Sequence, residues 1–209
     1  LLCLILLFAQ HAEALATISL YHFLLFITPL LLAVSYYSGL VGNENYNLRK
    51  IGWLKPFIIG LVWTGLVFVY PILFVDITQP GGIAISFFML LLFIKSVMFI
   101  SILAILFDIK DAHADRNLQM ETFIVRLGLR KTLFYLVLPL TLLGLLTFFT
   151  YAIIQGMTGW RIILILIPFI LLLGAIYSLR KEKSLLYYLI VIDGLMLVKA
   201  ICGGLAMQV

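Results

Sequence analysis

The chain has 209 residues, of which 65% are hydrophobic and 11% charged, with a mean hydropathy of +1.22 and a formal net charge of +5. This composition excludes an ordinary soluble domain, in which about a quarter of the residues are charged, and indicates an integral membrane protein. The positive charge is expected to attract anionic membrane lipids, and it gives no argument for nucleic acid as a partner.

Apolar runs of membrane-spanning length are separated by short polar connections. A helix needs about 20 apolar residues to cross a bilayer, and Pro139 and Pro168 lie inside two runs, as membrane helices tolerate. The sequence therefore predicts an all-α, polytopic transmembrane bundle that forms one domain over residues 1–209. The expected helices are 1–10, which is too short to span, and 18–37, 57–75, 83–106, 132–155, 161–179 and 185–207.

The opening stretch LLCLILLFAQHAEALA has two interpretations. It resembles a signal peptide, because an apolar run is followed by A-x-A, but it lacks the basic residues that begin such peptides. The chain also begins at Leu1 instead of a methionine. An N-terminal truncation of a longer protein is the favoured interpretation.

Basic residues are concentrated in alternate loops, which predicts the orientation. The loops 38–56, 107–131 and 180–184 contain 11 of the 14 Lys and Arg residues. Loops rich in Lys and Arg stay in the cytoplasm. We therefore expect a multi-pass protein of a bacterial-type inner (plasma) membrane, with the loop 107–131 cytoplasmic.

Three aspartates, Asp108, Asp111 and Asp115, follow the helix expected to end at Leu106. If that helix continues, they lie at about 0°, 300° and 340° around its axis, on one face. Stacked carboxylates repel one another unless a cation lies between them, and Mg²⁺ is usually held by one or two carboxylates together with substrate phosphates. The three aspartates are therefore the candidate metal-binding and catalytic residues, with a diphosphate as the substrate group.

Basic residues on the same side of the membrane are candidates for neutralising the phosphate charge. They are Lys110, Arg116, Arg49, Lys50 and Lys55. The alternative interpretation is a solvated loop, in which the acids merely pair with Lys110 and Arg116.

The stretch 107–128 resembles the second aspartate-rich motif of the UbiA family of intramembrane prenyltransferases. A second similarity is SYYSG at 35–39 followed by LRKIGWLKP, which looks like the end of the family's fourth helix, its basic loop and the start of its fifth helix. The chain departs from the family pattern at Gln119, Glu121 and Ile124, where the family has Gly, a cation and Pro. The matching positions are Asp108, Asp111, Asp115, Arg116, Thr122, Val125, Leu127 and Gly128.

The resemblance implies a nine-helix bundle of which this chain lacks the first two helices and the first aspartate-rich motif. It also implies Mg²⁺-assisted release of diphosphate from a polyprenyl diphosphate and transfer of the prenyl group to a lipophilic acceptor. The alternative is a non-catalytic relative, or a transporter-like protein whose function depends on charges buried in the membrane.

Two such charges are Lys95 and Asp193. Unpaired charges in a bilayer are costly and usually face the bundle interior, so we expect Lys95 and Asp193 to pair with each other. Lys199 is expected to extend outward to the interface, and His113 to be solvated. Tyr36, Tyr37 and Trp53 are expected to be interfacial belt residues.

Overall fold

The computed structural model describes residues 19–37, 51–78, 86–118, 120–180 and 183–208, and over these ranges the chain is helical, without strands. Five helices are long and apolar enough to cross a membrane, with mean hydropathies from 2.0 to 2.7, and this confirms the predicted helical membrane bundle. The predicted helix 1–10 lies outside the described residues. The seven described helices are α1 (Leu20–Tyr37), α2 (Lys55–Thr64, Gly65–Val69 and Tyr70–Thr78), α3 (Phe87–Asn117), α4 (Phe123–Leu127), α5 (Leu129–Ile154), α6 (Gly159–Ser178) and α7 (Leu185–Gln208).

Most predicted helix ends agree with the structure to within a few residues, but the predicted end of α3 at residue 106 is wrong. The helix continues to Asn117 and carries the three aspartates on helical backbone. Hydropathy marks only the apolar part of a helix, and the polar stretch 108–117 contains no Gly or Pro to end it. The expected loop 107–131 is therefore largely helical, since α4 and the start of α5 also lie in it.

Local signals account for several helix ends. Ser86 caps α3, because its side chain accepts a hydrogen bond from the Met89 amide at 3.3 Å. Pro56 occupies the first turn of α2, where its missing N–H has no cost. Gly128 and Gly156 have φ of 79° and 59°, a backbone region that favours glycine, and they separate α4 from α5 and α5 from α6.

The core is centred on α3, which has about twice the buried fraction of the other spanning helices. It packs against both α2 and α5, while α6 packs against α7. Many large apolar side chains are exposed on the outside of the bundle. They face lipid if the helices span a bilayer. Buried side chains at the centre include Phe99, Leu106, Val137, Leu172 and Ile192.

Glycines set the close approach of α2 to α3. A Cβ at Gly60 would lie 2.2 Å from Ser101 Oγ and 2.9 Å from the Val97 carbonyl oxygen, so no larger residue fits without a shift. A Cβ at Gly65 would lie 2.5 Å from Pro29 Cγ, where α1 packs against α2. Small residues at such positions let membrane helices pack closely.

Three spanning helices contain a π-helical turn. These turns are Gly65–Val69 in α2, Leu133–Val137 in α5 and Tyr188–Ile192 in α7. A π turn adds a residue to the helix and so rotates the faces on either side of it relative to each other. The direction of a side chain beyond such a turn is therefore not given by a regular helical period.

Candidate functional site

Asp108 and Asp115 lie on the face of α3 that is directed at α2. Their exposed fractions are 2% and 5%, and Ser101, seven residues before Asp108, is also fully buried. A spacing of seven residues returns to nearly the same face of a helix, after a rise of about 10 Å. The face that packs against Gly60 deep in the bundle therefore carries buried carboxylates at its polar end.

Lys55, the first residue of α2, provides the counter-charge for Asp108. Its Nζ donates a hydrogen bond to Asp108 Oδ1 at 2.6 Å, and the two side chains are 22% and 3% exposed. A charge-assisted hydrogen bond of this kind is stronger than a neutral one. The structure thus brings together two residues that the sequence placed in the same predicted site, 53 positions apart.

One oxygen of each buried carboxylate has no partner. Asp108 Oδ2 and Asp115 Oδ2 are both inaccessible and make no hydrogen bond to any described residue, and the same is true of the hydroxyls of Ser101 and Thr122. Buried polar groups in proteins are nearly always satisfied by protein, water or an ion. The face of α3 that carries Asp108 and Asp115, here called the acid face, therefore has buried oxygens without a partner. Such oxygens could ligate a cation or accept a hydrogen bond from a bound ligand.

The other predicted site residues lie at the edge of this face or outside it. Asp111 is 44% exposed and lies 3.6 Å from Lys110 Nζ, which also lies over the Phe107 ring. Arg116 and His113 are exposed. Arg49 and Lys50 lie outside the described residues. A solvated loop is therefore the wrong description of Asp108 and Asp115, although Asp111 does pair with Lys110 as that interpretation expected.

The geometry fits Mg²⁺ shared with a phosphate better than Mg²⁺ held by protein alone. Within the described ranges no three His, Cys, Asp or Glu side chains come together as a metal site. The reason is the spacing, because Asp108 and Asp115 are two turns apart on one helix. Mg²⁺ is commonly bound by one or two carboxylates with the remaining positions taken by substrate phosphates and water, and Asp108 and Asp115 could each supply one such carboxylate.

No protein-family model, characterised protein or solved structure matches this chain.

The loop before α2 is held against the segment after α3. A Cβ at Gly52 would lie 2.6 Å from both the carbonyl carbon of Glu121 and the amide nitrogen of Thr122. The Glu121 side chain, at a position where the UbiA pattern has a cation, is exposed. The backbone contact at Gly52, three residues before Lys55, therefore helps to position Lys55 beside Asp108.

We expect Gly52→Ala to weaken this end of the bundle by about 1–3 kcal/mol, because the added methyl group must push two backbone segments apart. Thermal unfolding of the purified protein in detergent would measure the loss. Gly174→Ala is the matched control, since a Cβ at Gly174 meets nothing within 4 Å. Equal melting temperatures for the two variants would contradict the proposed role of Gly52.

The predicted aromatic belt is only partly correct. Trp53 is 42% exposed, as a belt residue should be, but Tyr36 is only 5% exposed and lies close enough to interact electrostatically with Lys55. The side chain of Tyr37 lies outside the part of the chain that the structure describes. Tyr36 is therefore a neighbour of the site, and the SYYSG similarity was the sequence signal that could have identified it.

The predicted ion pair between Lys95 and Asp193 is wrong. Lys95 is buried at 8% exposure, whereas Asp193 is exposed and follows directly on the π turn of α7. That turn rotates Asp193 away from the direction a regular helix would give it. In the part of the chain that the structure describes, no ion pair joins them.

A second polar group, at the opposite end of the bundle, was not predicted from the sequence. His22 Nε2 lies 2.8 Å from Asp76 Oδ2, and His22 Nδ1 lies 2.5 Å from Ser19 Oγ. Asp76 also borders a cavity of about 250 Å³ lined mainly by apolar residues, among them Phe68 and Phe93. No sequence pattern indicated this group, because its residues lie on two helices and 54 positions separate His22 from Asp76.

Proposed function

We propose that the protein is a UbiA-like membrane prenyltransferase, which binds a prenyl diphosphate through Mg²⁺ and transfers the prenyl group to a lipophilic acceptor. The observation that carries the proposal is the pair of buried, unpaired carboxylate oxygens on Asp108 and Asp115 beside the ammonium of Lys55. Carboxylates and a cation in this proximity match a magnesium diphosphate, which presents both kinds of charge.

Each residue of the proposed site has a distinct task. Asp108 and Asp115, two turns apart, would each supply one carboxylate ligand to Mg²⁺ bound together with the diphosphate, and that charge would stabilise the departing diphosphate. Lys55 donates to Asp108 and is placed to donate to a phosphate oxygen as well, because an ammonium has three hydrogens. Lys110 and Arg116, at the solvent side, add positive charge along the path by which the diphosphate enters and leaves.

The surroundings of Asp108 support the second half of the reaction. Ile105 and Leu106, less than one turn away, are fully buried in the apolar core. An allylic cation formed by loss of diphosphate reacts with water unless water is excluded, and a prenyl chain needs an apolar environment. The buried apolar side chains of the core thus begin next to the carboxylates at the polar end of α3.

A titration of the purified protein with a non-hydrolysable prenyl thiodiphosphate tests the proposal. We expect saturable binding with Mg²⁺ and little binding with a chelator, because the carboxylates alone would repel the diphosphate. A prenyl alcohol of the same chain length is the control for purely hydrophobic binding. Equal affinity with and without Mg²⁺ would refute the proposal.

The proposal also places the end of the bundle with Lys55 and Asp108 on the cytoplasmic side, where most of the basic residues should lie. In a background with Cys3 and Cys202 replaced by serine, we expect Asn117→Cys to resist a membrane-impermeant thiol reagent in intact cells. Thr158→Cys, exposed at the other end of the bundle, should react. The reverse pattern would invert the orientation.

A further inference from the structure

Two lysines meet inside the bundle, well away from the aspartates. Lys199 of α7 directs its Nζ to α3, 3.4 Å from Ser96 Oγ and 4.8 Å from the centre of the Phe99 ring. Ser96 is next to Lys95, and Phe99 is one turn further along the same helix. Lys95 and Phe99 are four residues apart and so share one face of α3, and the Lys199 ammonium that lies over Phe99 is therefore a neighbour of Lys95.

Both lysines lie at the same depth. Lys95 is eight residues from the start of α3 and Lys199 nine residues from the end of α7. At 1.5 Å per residue these are depths of about 12 and 14 Å below the same end of the bundle. The expectation that Lys199 extends outward to the interface is wrong, because its Nζ turns inward to α3.

No acid balances these two charges among the described residues. The carboxylates that form ion pairs belong to Asp76, Asp108 and Asp111, all paired elsewhere. Asp193 lies on α7 itself but is exposed, six residues before Lys199. Two like charges in an apolar interior therefore repel each other without a counter-ion.

The contacts that the two lysines make compensate only weakly for the loss of hydration of their ammonium groups. The Nζ of Lys95 lies 5.2 Å from the centre of the Phe148 ring, and that of Lys199 lies over Phe99. Cation–π contacts and one long hydrogen bond to a hydroxyl recover only part of the hydration lost by a buried ammonium. An anion between the two lysines would supply the missing interaction.

We propose that Lys95 and Lys199 form an intramembrane binding site for a carboxylate group carried by an apolar molecule. Lys199 is only half-buried, so the site is open on its side of the bundle. The depth favours an acid on an apolar body, because lipid phosphates and aqueous anions remain at or beyond the interface. The site is about 20 Å along α3 from Asp108, so it does not depend on the proposed prenyl transfer.

Binding of a fluorescent long-chain carboxylic acid to purified protein in nanodiscs of neutral lipid tests the site. The variants are Lys95→Met and Lys199→Met, which keep side-chain length but remove the charge. Lys131→Met is the matched control, since Lys131 is exposed at the start of α5. Four further ligands distinguish the source of the anion. They are the corresponding long-chain alcohol, the corresponding alkyl phosphate, inorganic phosphate, and vesicles containing phosphatidic acid.

We expect each variant at Lys95 or Lys199 to bind the acid at least about tenfold more weakly, because one of two charged partners is lost. The alcohol should bind weakly and equally to all proteins, and Lys131→Met should behave as wild type. The acid should also raise the melting temperature of the wild type but not of the variants.

Replacing a buried charge with an apolar residue of similar size is usually neutral or stabilising, so the variants should remain folded. Equal binding of acid and alcohol by the wild type, or unchanged binding of the acid by the variants, would overturn the proposal, because the lysine charges would then contribute nothing to binding. Stronger competition by inorganic phosphate, by the alkyl phosphate or by phosphatidic acid than by the long-chain carboxylic acid would also overturn the proposal.

Discussion

Asp115→Asn is expected to abolish Mg²⁺-dependent binding of the prenyl diphosphate analogue while leaving the bundle folded. An amide supplies neither the charge nor the ligand strength of a carboxylate. The loss should exceed about 100-fold, since even residues that only orient a metal ligand are worth roughly 10–100-fold. The measurement is the titration with the thiodiphosphate, with and without Mg²⁺.

Asp115 is the most informative of the three aspartates, because its side chain makes no ion pair with any described residue. Removing its charge should therefore leave the melting temperature nearly unchanged. Asp108→Asn should also prevent binding, but it breaks the contact with Lys55 and should lower the melting temperature as well. Asp111→Asn should have a smaller effect on binding, since Asp111 is half-exposed and paired with Lys110.

Asp193→Asn is the matched control for these variants, because it removes the charge of an exposed aspartate on another helix. It should bind the analogue as the wild type does. If Asp115→Asn bound the analogue as tightly as Asp193→Asn, the acid face would not be a magnesium diphosphate site.

Gly60→Ala is expected to destabilise the protein by about 1–3 kcal/mol, and Gly60→Leu by more, because the Cβ would overlap Ser101 Oγ and press on the Val97 carbonyl. Binding should weaken too, since separating α2 from α3 moves Lys55 away from Asp108. Thermal unfolding and the thiodiphosphate titration would measure the two effects.

Gly204→Ala provides the comparison, because a Cβ at Gly204 meets nothing within 4 Å. Alanine forms helices better than glycine, so this variant should be at least as stable as the wild type. Ser101→Gly should partly restore Gly60→Ala, since the nearest overlap is with the serine hydroxyl, and the non-additivity would measure the contact. If Gly60→Ala were as stable as Gly204→Ala, the close packing of α2 on α3 would be disproved.

The number and placement of the described membrane helices could be predicted because the bilayer imposes a simple condition. A run of about 20 apolar residues must form a helix there, since no water is available for its backbone groups. That condition is local, so the sequence alone located α1, α2, α5, α6 and α7 to within a few residues. It did not locate the end of α3, because the polar part of that helix extends beyond the apolar run.

The acid face was also predictable in part. The spacing of Asp108, Asp111 and Asp115 predicted one helical face, and the distribution of basic residues placed Lys55 on the same side of the bundle. The periodicity could not show that Asp108 and Asp115 are buried while Asp111 is half-exposed. That difference depends on how closely α2 approaches α3, which Gly60 and Gly52 set through contacts with residues far away in the sequence.

The partners of the buried charges were decided by the tertiary structure. The sequence identified Lys95 and Asp193 as costly residues in a membrane, and the cost is a local property. Which residues meet depends on the rotation and depth of each helix, and the π turn of α7 precedes Asp193 and alters that rotation. Lys199 therefore faces Lys95, and Asp193 faces outward. The periodicity within one helix does not contain this information, because it depends on contacts between residues that are far apart in the sequence.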